Sequence, residues 1–364
     1  MIAAMQPDIQ ATENNDSFAH RVIAWQRRHG RHDLPWQNTR DPYRIWVSEI
    51  MLQQTQVAAV IGYYQRFLTR FPNVATLAAA DEDEVLQRWA GLGYYARARN
   101  LHKAARTIVS DQGGVFPRDH ASVCALPGIG RSTASAICAF AFGTRTAILD
   151  GNVKRVLARH FGVEGFPGER KVEQRLWALT EQLVPERDVE VYTQGLMDLG
   201  AQVCVRSVPA CLACPLRETC VAYRERRTAE LPAPRPAKVL PQRQTTMLVL
   251  MRNGEVLLEK RPAPGIWGGL WCFPELQDGS VEEACLARFG AQVTRSTPLG
   301  PVDHGFTHFR LRIEPVLTQV TAAPALEQAG RLWLTPEDAL GAAIPVPVRR
   351  ILQALGPALP AMRA

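Results

Sequence analysis

The first half of this chain is patterned in short apolar stripes at helical spacing. Phe18, Val22 and Trp25 recur at three to four residues and predict a helix over residues 18–28. Between Ile45 and Leu52 only Ser48 and Glu49 interrupt an apolar run, and Asp41-Pro42 just before it has the form of a helix cap and first turn. Helices continue from Tyr63, with boundaries at Phe71-Pro72 and Ala80-Asp81, where Asp81 and Glu84 fit a capping box. Leu126-Pro127-Gly128-Ile129-Gly130 is a tight apolar hairpin, and Arg131 to Phe142 after it reads as a helix of small and apolar residues. The hairpin glycines permit backbone angles closed to other residues and leave amides uncovered.

The pattern then changes. Residues 224–243 carry four prolines and six basic residues against two acidic ones, the composition of an extended, semi-rigid linker. Beyond it the period is two: Thr246–Met251 and Glu255–Arg261 flank Asn253-Gly254, a hairpin signal, and Leu311 and Ile313 alternate with Arg310 and Arg312. Ser280 and Glu283 open a helix with a capping box, and Gly290 closes it. The expected organisation is a flexible tail over residues 1–17, a mostly α domain over 18–225, a linker over 226–243 and an α+β domain over 244–364.

Composition narrows the partners. A net charge of +7 and a pI near 9.1 favour a polyanion. Met1 to Ser17 lacks the apolar core of a signal peptide, and no apolar run approaches the roughly 20 residues of a membrane span. The expectation is therefore a soluble protein of the cytoplasm, without a membrane partner. Its eight cysteines would stay thiols or bind metal there.

Several stretches carry candidate chemistry. Amides at the start of the helix after the hairpin would face outward at its positive end and could hold a phosphate without reading a base. Asp150, in Leu149-Asp150-Gly151-Asn152, is either a plain helix cap or a carboxylate beside a strand held by that hairpin. Glu49 is either a solvent-facing helical residue or a desolvated acid with a raised pKa suited to proton transfer. Gln53-Gln54-Thr55 offers neutral donors and acceptors for base edges. Tyr94 and Tyr95, with Arg97 and Arg99, are either wedges for a kinked duplex or core rings beneath a solvated basic face. Trp36 is a core plug or a pocket wall. Cys204, Cys211, Cys214 and Cys220 give C-x6-C-x2-C-x5-C, a set of thiolates able to enclose a metal centre, with structural zinc as the alternative. Cys124, Cys138, Cys272 and Cys285 sit in apolar settings and read as core.

The hairpin and Asp150 together resemble the helix-hairpin-helix DNA glycosylases. Trp46 to Val57, WVSEIMLQQTQV, narrows the resemblance to the MutY family of adenine glycosylases, which act on adenine paired with 8-oxoguanine. It extends from about Phe18 to the last helix near Ile351. The resemblance implies a helix-hairpin-helix fold with a [4Fe–4S] loop on the four cysteines, followed by a Nudix-like domain. It implies a monomeric bacterial enzyme associated with the nucleoid, whose partner is double-stranded DNA with A:8-oxoguanine or A:G mispairs. Glu49 would protonate the adenine and Asp150 would stabilise the sugar cation, with Ser132, Asn152, Gln194 and Trp36 supporting the site. Leu126, Gly128, Gly130, Gln54, Tyr94 and Arg206 would bind DNA, with Gln54 probing the opened stack and Tyr94 wedging beside the oxidised base. Ser132 stands where bifunctional relatives of the endonuclease III type carry a lysine, which argues for hydrolysis over strand cutting. Lys154 is assigned to phosphate. Gly269 and Glu275 keep the opening of a Nudix box, but Glu283 replaces its arginine, and Ala287 and Arg288 replace its glutamate pair. Pyrophosphate hydrolysis is not expected. Phe306-Thr307-His308 corresponds to the Phe-Ser-His loop that recognises the oxidised guanine, with threonine for serine. An endonuclease III-like glycosylase and lyase is the alternative function.

Overall fold

The computed structural model describes residues 12–236, 239–263, 265–321 and 329–355. By its internal packing the chain divides into two compact units, Met1–Ala78 with Lys103–Ala237, and Ala79–His102 with Lys238–Ala364. The segment Ala79–His102, placed by sequence in the helical domain, is therefore part of the second unit.

Helices build the first unit: α1 (Thr12–His29), α2 (Pro42–Leu52), α3 (Val57–Arg70) and α4 (Val74–Ala79). The second unit takes α5 (Glu82–Trp89) and the start of α6 (Ala96–Gln112). The first unit resumes with α7 (His120–Ala125), α8 (Arg131–Phe142), α9 (Gly151–His160), α10 (Arg170–Leu183), α11 (Val189–Asp198) and α12 (Val221–Arg224). Helix α1 begins at Thr12, six residues before the expected start, so only residues 1–11 of the proposed tail lie outside the described residues. Helix α2 begins as its sequence demands, with Asp41 accepting from the Tyr43 amide at 2.9 Å and Pro42 in the first turn. The capping box expected at Asp81 does not form, because its side chain accepts no cap hydrogen bond. The core of this unit joins Phe18 and Val22 of α1 to Ala136, Leu157, Tyr192 and Leu196, all but absent from the surface. Each such apolar side chain contributes roughly 1.5–3 kcal/mol.

The second unit carries a mixed sheet. Its strands are β1 (Gln242–Arg252), β2 (Glu255–Lys260), β3 (Trp271–Cys272), β4 (Glu275–Leu276), β5 (Val293–Pro298), β6 (Val302–Gly305), β7 (Arg310–Val320) and β8 (Arg331–Leu334). The order is β3-β2-β1-β7-β5, with β4 on β1, β6 on β7 and β8 on β2. The β1–β7 pair is parallel, and the hairpin β1–β2 turns through Asn253 and Gly254 at φ 52° and 84°. Helices α13 (Val281–Phe289), α14 (Pro336–Gly341) and α15 (Val346–Leu355) complete it. The capping box at Ser280 and Glu283 and the left-handed Gly290 are formed as the sequence indicates. Leu248, Leu250, Leu257, Cys285 and Phe289 make the core. The segment around α5 is tied to this sheet by Lys260–Asp83 at 2.6 Å and by Tyr95 Oη donating to the Ile344 carbonyl at 3.3 Å. Among the described residues no helix is long and apolar enough to cross a membrane.

Candidate active site

Helix α2 buries Tyr43, Ile45, Trp46, Val47, Ile50 and Met51, so nearly its whole circumference is apolar. Glu49 occupies the strip that remains and opens on a cleft of about 380 Å³. Trp36, Gln37, Ser48, Phe140 and Gln194 share the lining. Trp36 is both plug and wall: it is buried, it packs edge-on against Tyr64 at 5.4 Å, and it faces the cleft. Burial, and then the charge of Asp150, push the Glu49 carboxyl up to about 8. Half-buried on the cleft wall, it has the raised pKa of the desolvated reading. Gln194 donates from Nε2 to Asp198 Oδ1 at 2.8 Å. Asp198, fully buried, is held by Arg31 through Nε at 2.7 Å and through its backbone amide at 2.8 Å. The cleft's amide is thus oriented by a charge-assisted pair beneath it.

Asp150 caps α9, accepting from the Val153 amide at 2.7 Å, so the capping role of this carboxylate is real. Its burial pushes its pKa up, opposed by the amides of Val153 and Asn152 and by Arg155. Asn152 Nδ2 stands 3.5 Å from Asp150 Oδ2. On the far side of Asn152, Arg155 Nη2 donates to Asn152 Oδ1 at 2.8 Å and to the Gly200 carbonyl at 2.7 Å, while Nε donates to the Cys204 carbonyl at 2.7 Å. A π turn, Leu199–Val203, brings this backbone in, and Gly200 allows the approach: a Cβ there would lie 2.5 Å from Asn152 Cβ. Ser132 Oγ accepts from the Leu149 amide at 2.9 Å and so fixes the residue before Asp150.

The hairpin before α8 is formed, but its glycines differ. Gly128 is left-handed at φ 78°, whereas Gly130, the cap of α8, is extended at φ −90°. Open space rather than backbone angle distinguishes Gly130, since a Cβ there would meet nothing within 4 Å. Leu126 turns its side chain into the core, leaving only its backbone to the hairpin. Gln54 and Tyr94 are exposed and both left-handed, at φ 56° and 48°. Such angles are uncommon for residues with a Cβ and mark sites held by their surroundings. Arg206 is exposed, and its carbonyl accepts from Arg159 Nη2 at 3.0 Å. Lys154, expected to contact phosphate, pairs with Glu173 at 2.5 Å.

Cys204, Cys211, Cys214 and Cys220 line one small apolar cavity and are free thiols. Arg159 Nη1 lies 3.4 Å from Cys204 Sγ. Burial pushes the Cys214 thiol up to about 12, and the neighbouring sulfurs raise it as well. Gathering four thiolates there needs a compensating positive centre. As the side chains stand, no group of three or more described His, Cys, Asp or Glu residues is arranged to hold a metal ion. Of the four cysteines read as core, Cys138, Cys272 and Cys285 are buried, but Cys124 is partly exposed.

In the second unit the tip of the β6–β7 hairpin exposes Thr307 and His308. Phe306 stacks on Phe309 at 4.4 Å and meets Trp267 at 5.6 Å, so the loop stands on an aromatic base. Carboxylates in and beside the Nudix-like box are ion-paired: Arg288 and Arg331 both bind Glu259, at 2.7 and 2.9 Å, and Arg261 binds Glu275 at 2.8 Å. These carboxylates are neutralised by arginines.

Comparison with known proteins places this geometry. Residues 47–182 match the HhH-GPD superfamily of base excision DNA repair proteins, and residues 245–354 match the NUDIX domain. Over 340 residues the chain is 36% identical to an adenine DNA glycosylase of Buchnera aphidicola subsp. Acyrthosiphon pisum (strain APS), covering 92% of this chain and 97% of that one. The chain belongs to the adenine DNA glycosylase family. An adenine DNA glycosylase of Homo sapiens is 33% identical over 407 residues, covering 93% of this chain and 73% of that one. A thermostable thymine-DNA glycosylase superposes with a TM-score of 0.54 at 31% identity, covering 58% of this chain and 98% of that one. Endonuclease III in a DNA complex shares the fold, at 0.50 and 22%.

Sequence reasoning missed three supports of this adenine DNA glycosylase family site. Arg155 was legible in principle, because Asn152 and Arg155 are one helical turn apart. Gln37, whose Nε2 donates to the Arg31 carbonyl at 2.9 Å, adjoins the named Trp36. The Arg31–Asp198 pair joins residues far apart in the chain, and nothing local announces it.

Proposed function

We propose that this enzyme removes adenine mispaired with 8-oxoguanine or guanine by hydrolysis, leaving an abasic site and an uncut strand. One observation carries the reading: Glu49 lines a cleft of about 380 Å³, roomy enough for a base, where burial and the nearby Asp150 push its carboxyl up to about 8. Burial raises both carboxyls, but only Asp150 accepts hydrogen bonds from the Val153 amide and faces Arg155, which favour its charged form and suit it to the cation-stabilising role.

Phosphates held at the hairpin and the α8 amides position the duplex, and the adenine leaves the stack for the cleft, at a cost of a few kcal/mol that is least for a mispair. Trp36 walls the base, and Gln194, oriented by Asp198, meets its edge. Glu49 gives its proton to the departing ring. Positive charge then grows on the sugar, and Asp150 stabilises it, as the second carboxylate does in retaining glycosidases. Water completes the reaction. Ser132 offers no amine for a Schiff base, and Lys154 is engaged by Glu173. Cys204, Cys211, Cys214 and Cys220 would hold a [4Fe–4S] cluster; four thiols around one apolar cavity suit it. When bound it would cross-link the loop that carries Arg206. In the second unit, exposed Thr307 and His308 would read the oxidised guanine, and Tyr94 and Gln54 would enter the opened stack.

The test is a panel of duplexes, A:8-oxoguanine, A:G, A:C and oxidised pyrimidine pairs, assayed for alkali-labile sites and for cleavage without alkali. Adenine release that needs alkali to reveal it is the expected result. Cleavage without alkali, or release of pyrimidines, would favour the endonuclease III-like alternative.

A further inference from the structure

The turn that presents Tyr94 is built against backbone preference. Gly91, Gly93 and Tyr94 all have positive φ, at 104°, 70° and 48°, and Tyr94 is 49% exposed. Glycine adopts such angles freely, but tyrosine does so only where neighbours enforce it. The neighbour is Arg97. Its Nη2 donates to the carbonyls of Leu92 and Gly93, both at 3.1 Å. Its guanidinium lies 5.4 Å from the Trp89 ring and 5.6 Å from the Tyr94 ring. Trp89 Nε1 closes the arrangement on the Gly93 carbonyl at 3.2 Å, and the Arg97 amide donates to the Tyr94 carbonyl at 2.8 Å. Desolvation lowers the guanidinium to about 10, which leaves it charged at neutral pH.

We propose that Arg97 is the positioning residue of the Tyr94 wedge: clamped between two aromatic rings and two carbonyls, it holds the tyrosine in its left-handed pose and does not itself touch DNA. The planar fork is what matters. A lysine keeps the charge but cannot bridge two carbonyls while stacking on two rings. The proposal rests on Tyr94 entering the stack beside the oxidised base.

The experiment uses the full chain in five forms: unaltered, Tyr94→Ala, Arg97→Lys, Arg97→Met and the double variant Tyr94→Ala/Arg97→Met. Affinity is measured on A:8-oxoguanine and A:G duplexes whose adenosine carries a 2′-fluorine to block cleavage, across a range of salt. Each single change should reduce the preference for the 8-oxoguanine duplex about tenfold, and the double variant should lose no more than Tyr94→Ala alone. The slope of affinity against salt should be unchanged, because no phosphate contact is removed. Three outcomes would overturn the proposal. Multiplying effects in the double variant would mean that Arg97 acts independently of Tyr94. A slope reduced by about 0.9, with equal loss on undamaged DNA, would make Arg97 a phosphate contact. Tyr94→Ala retaining full preference would reject the wedge itself, and the role of Arg97 with it. Should Arg97→Met fail to fold, as judged by its circular dichroism, Arg97→Lys in its own double with Tyr94→Ala gives the same cycle.

Discussion

Glu49→Gln separates the chemical value of the acid from its thermodynamic cost. The carboxyl is raised from 4.5 to about 8 by burial and by Asp150. Between those values the folded protein keeps a proton that the unfolded chain has released. The stability linked to that proton is fully present below about pH 4.5 and is lost as pH rises through about 8. At about 1.4 kcal/mol per unit, the whole shift amounts to about 5 kcal/mol for a fully dry carboxyl. The cleft is open to water, so about 2–4 kcal/mol is the working range at pH 8, against less than about 1 kcal/mol at pH 5. Glutamine never ionises. The variant should therefore gain stability relative to the parent as pH rises, while base release is abolished and duplex binding persists. Urea unfolding at several pH values, followed by tryptophan fluorescence, gives the difference directly. A difference that stays constant across that range would refute the buried acid, whatever the activity shows.

Single-turnover base release should fall as pH rises through about 8, where Glu49 loses its proton, and fall again on the acid side as Asp150 gains one. Because burial raises Asp150, the acid limb should sit above the usual carboxylate range, and a rate that keeps climbing past about pH 9 would contradict the assignment. Ser132→Lys gives up the Leu149 hydrogen bond, about 0.5–1.5 kcal/mol, and places an amine near the reacting sugar. Borohydride should then trap a protein–DNA adduct through the new lysine, and trapping through Lys154 alone would misplace Ser132. Gly200→Ala should cost about 1–3 kcal/mol by overpacking against Asn152, and should slow base release more than it weakens DNA binding. An alanine variant with unaltered chemistry would show that the Asn152 contact is not needed by Asp150.

Local rules carried most of this structure. Helix α8 spans the residues its composition marks, Asp41 caps α2, and Asn253-Gly254 turns the β1–β2 hairpin. In each case neighbouring residues supply both the signal and the bond. Glu49 was also legible, because an acid within an apolar run has little surface to share. What escaped was long-range or depended on competition between partners. Lys154 pairs with Glu173, a partner nothing local announces, and Asp81 lacks the cap bond its spacing permits. Arg31 and Asp198 meet only because α1 and α11 pack together. Gly130 was given a conformational role, whereas its backbone is extended and a Cβ there would meet nothing within 4 Å, so neither its angles nor its protein neighbours demand a glycine.

The second unit is assembled from two separated lengths of chain, Ala79–His102 and the stretch from Lys238 onward. Its seam is stitched by Lys260 to Asp83 and by Tyr95 to the Ile344 carbonyl, and Gly269 lets the loop close over Leu86, where a Cβ would lie 3.2 Å from the leucine. A protease that nicks the proline-rich linker would therefore cut the covalent thread without dismantling the particle. The products should separate under denaturing conditions and travel together without them. A recombinant fragment starting after the linker would, by the same token, be an incomplete body, with the surface that receives α5 laid bare. The linker and the structural border of this protein are drawn in different places.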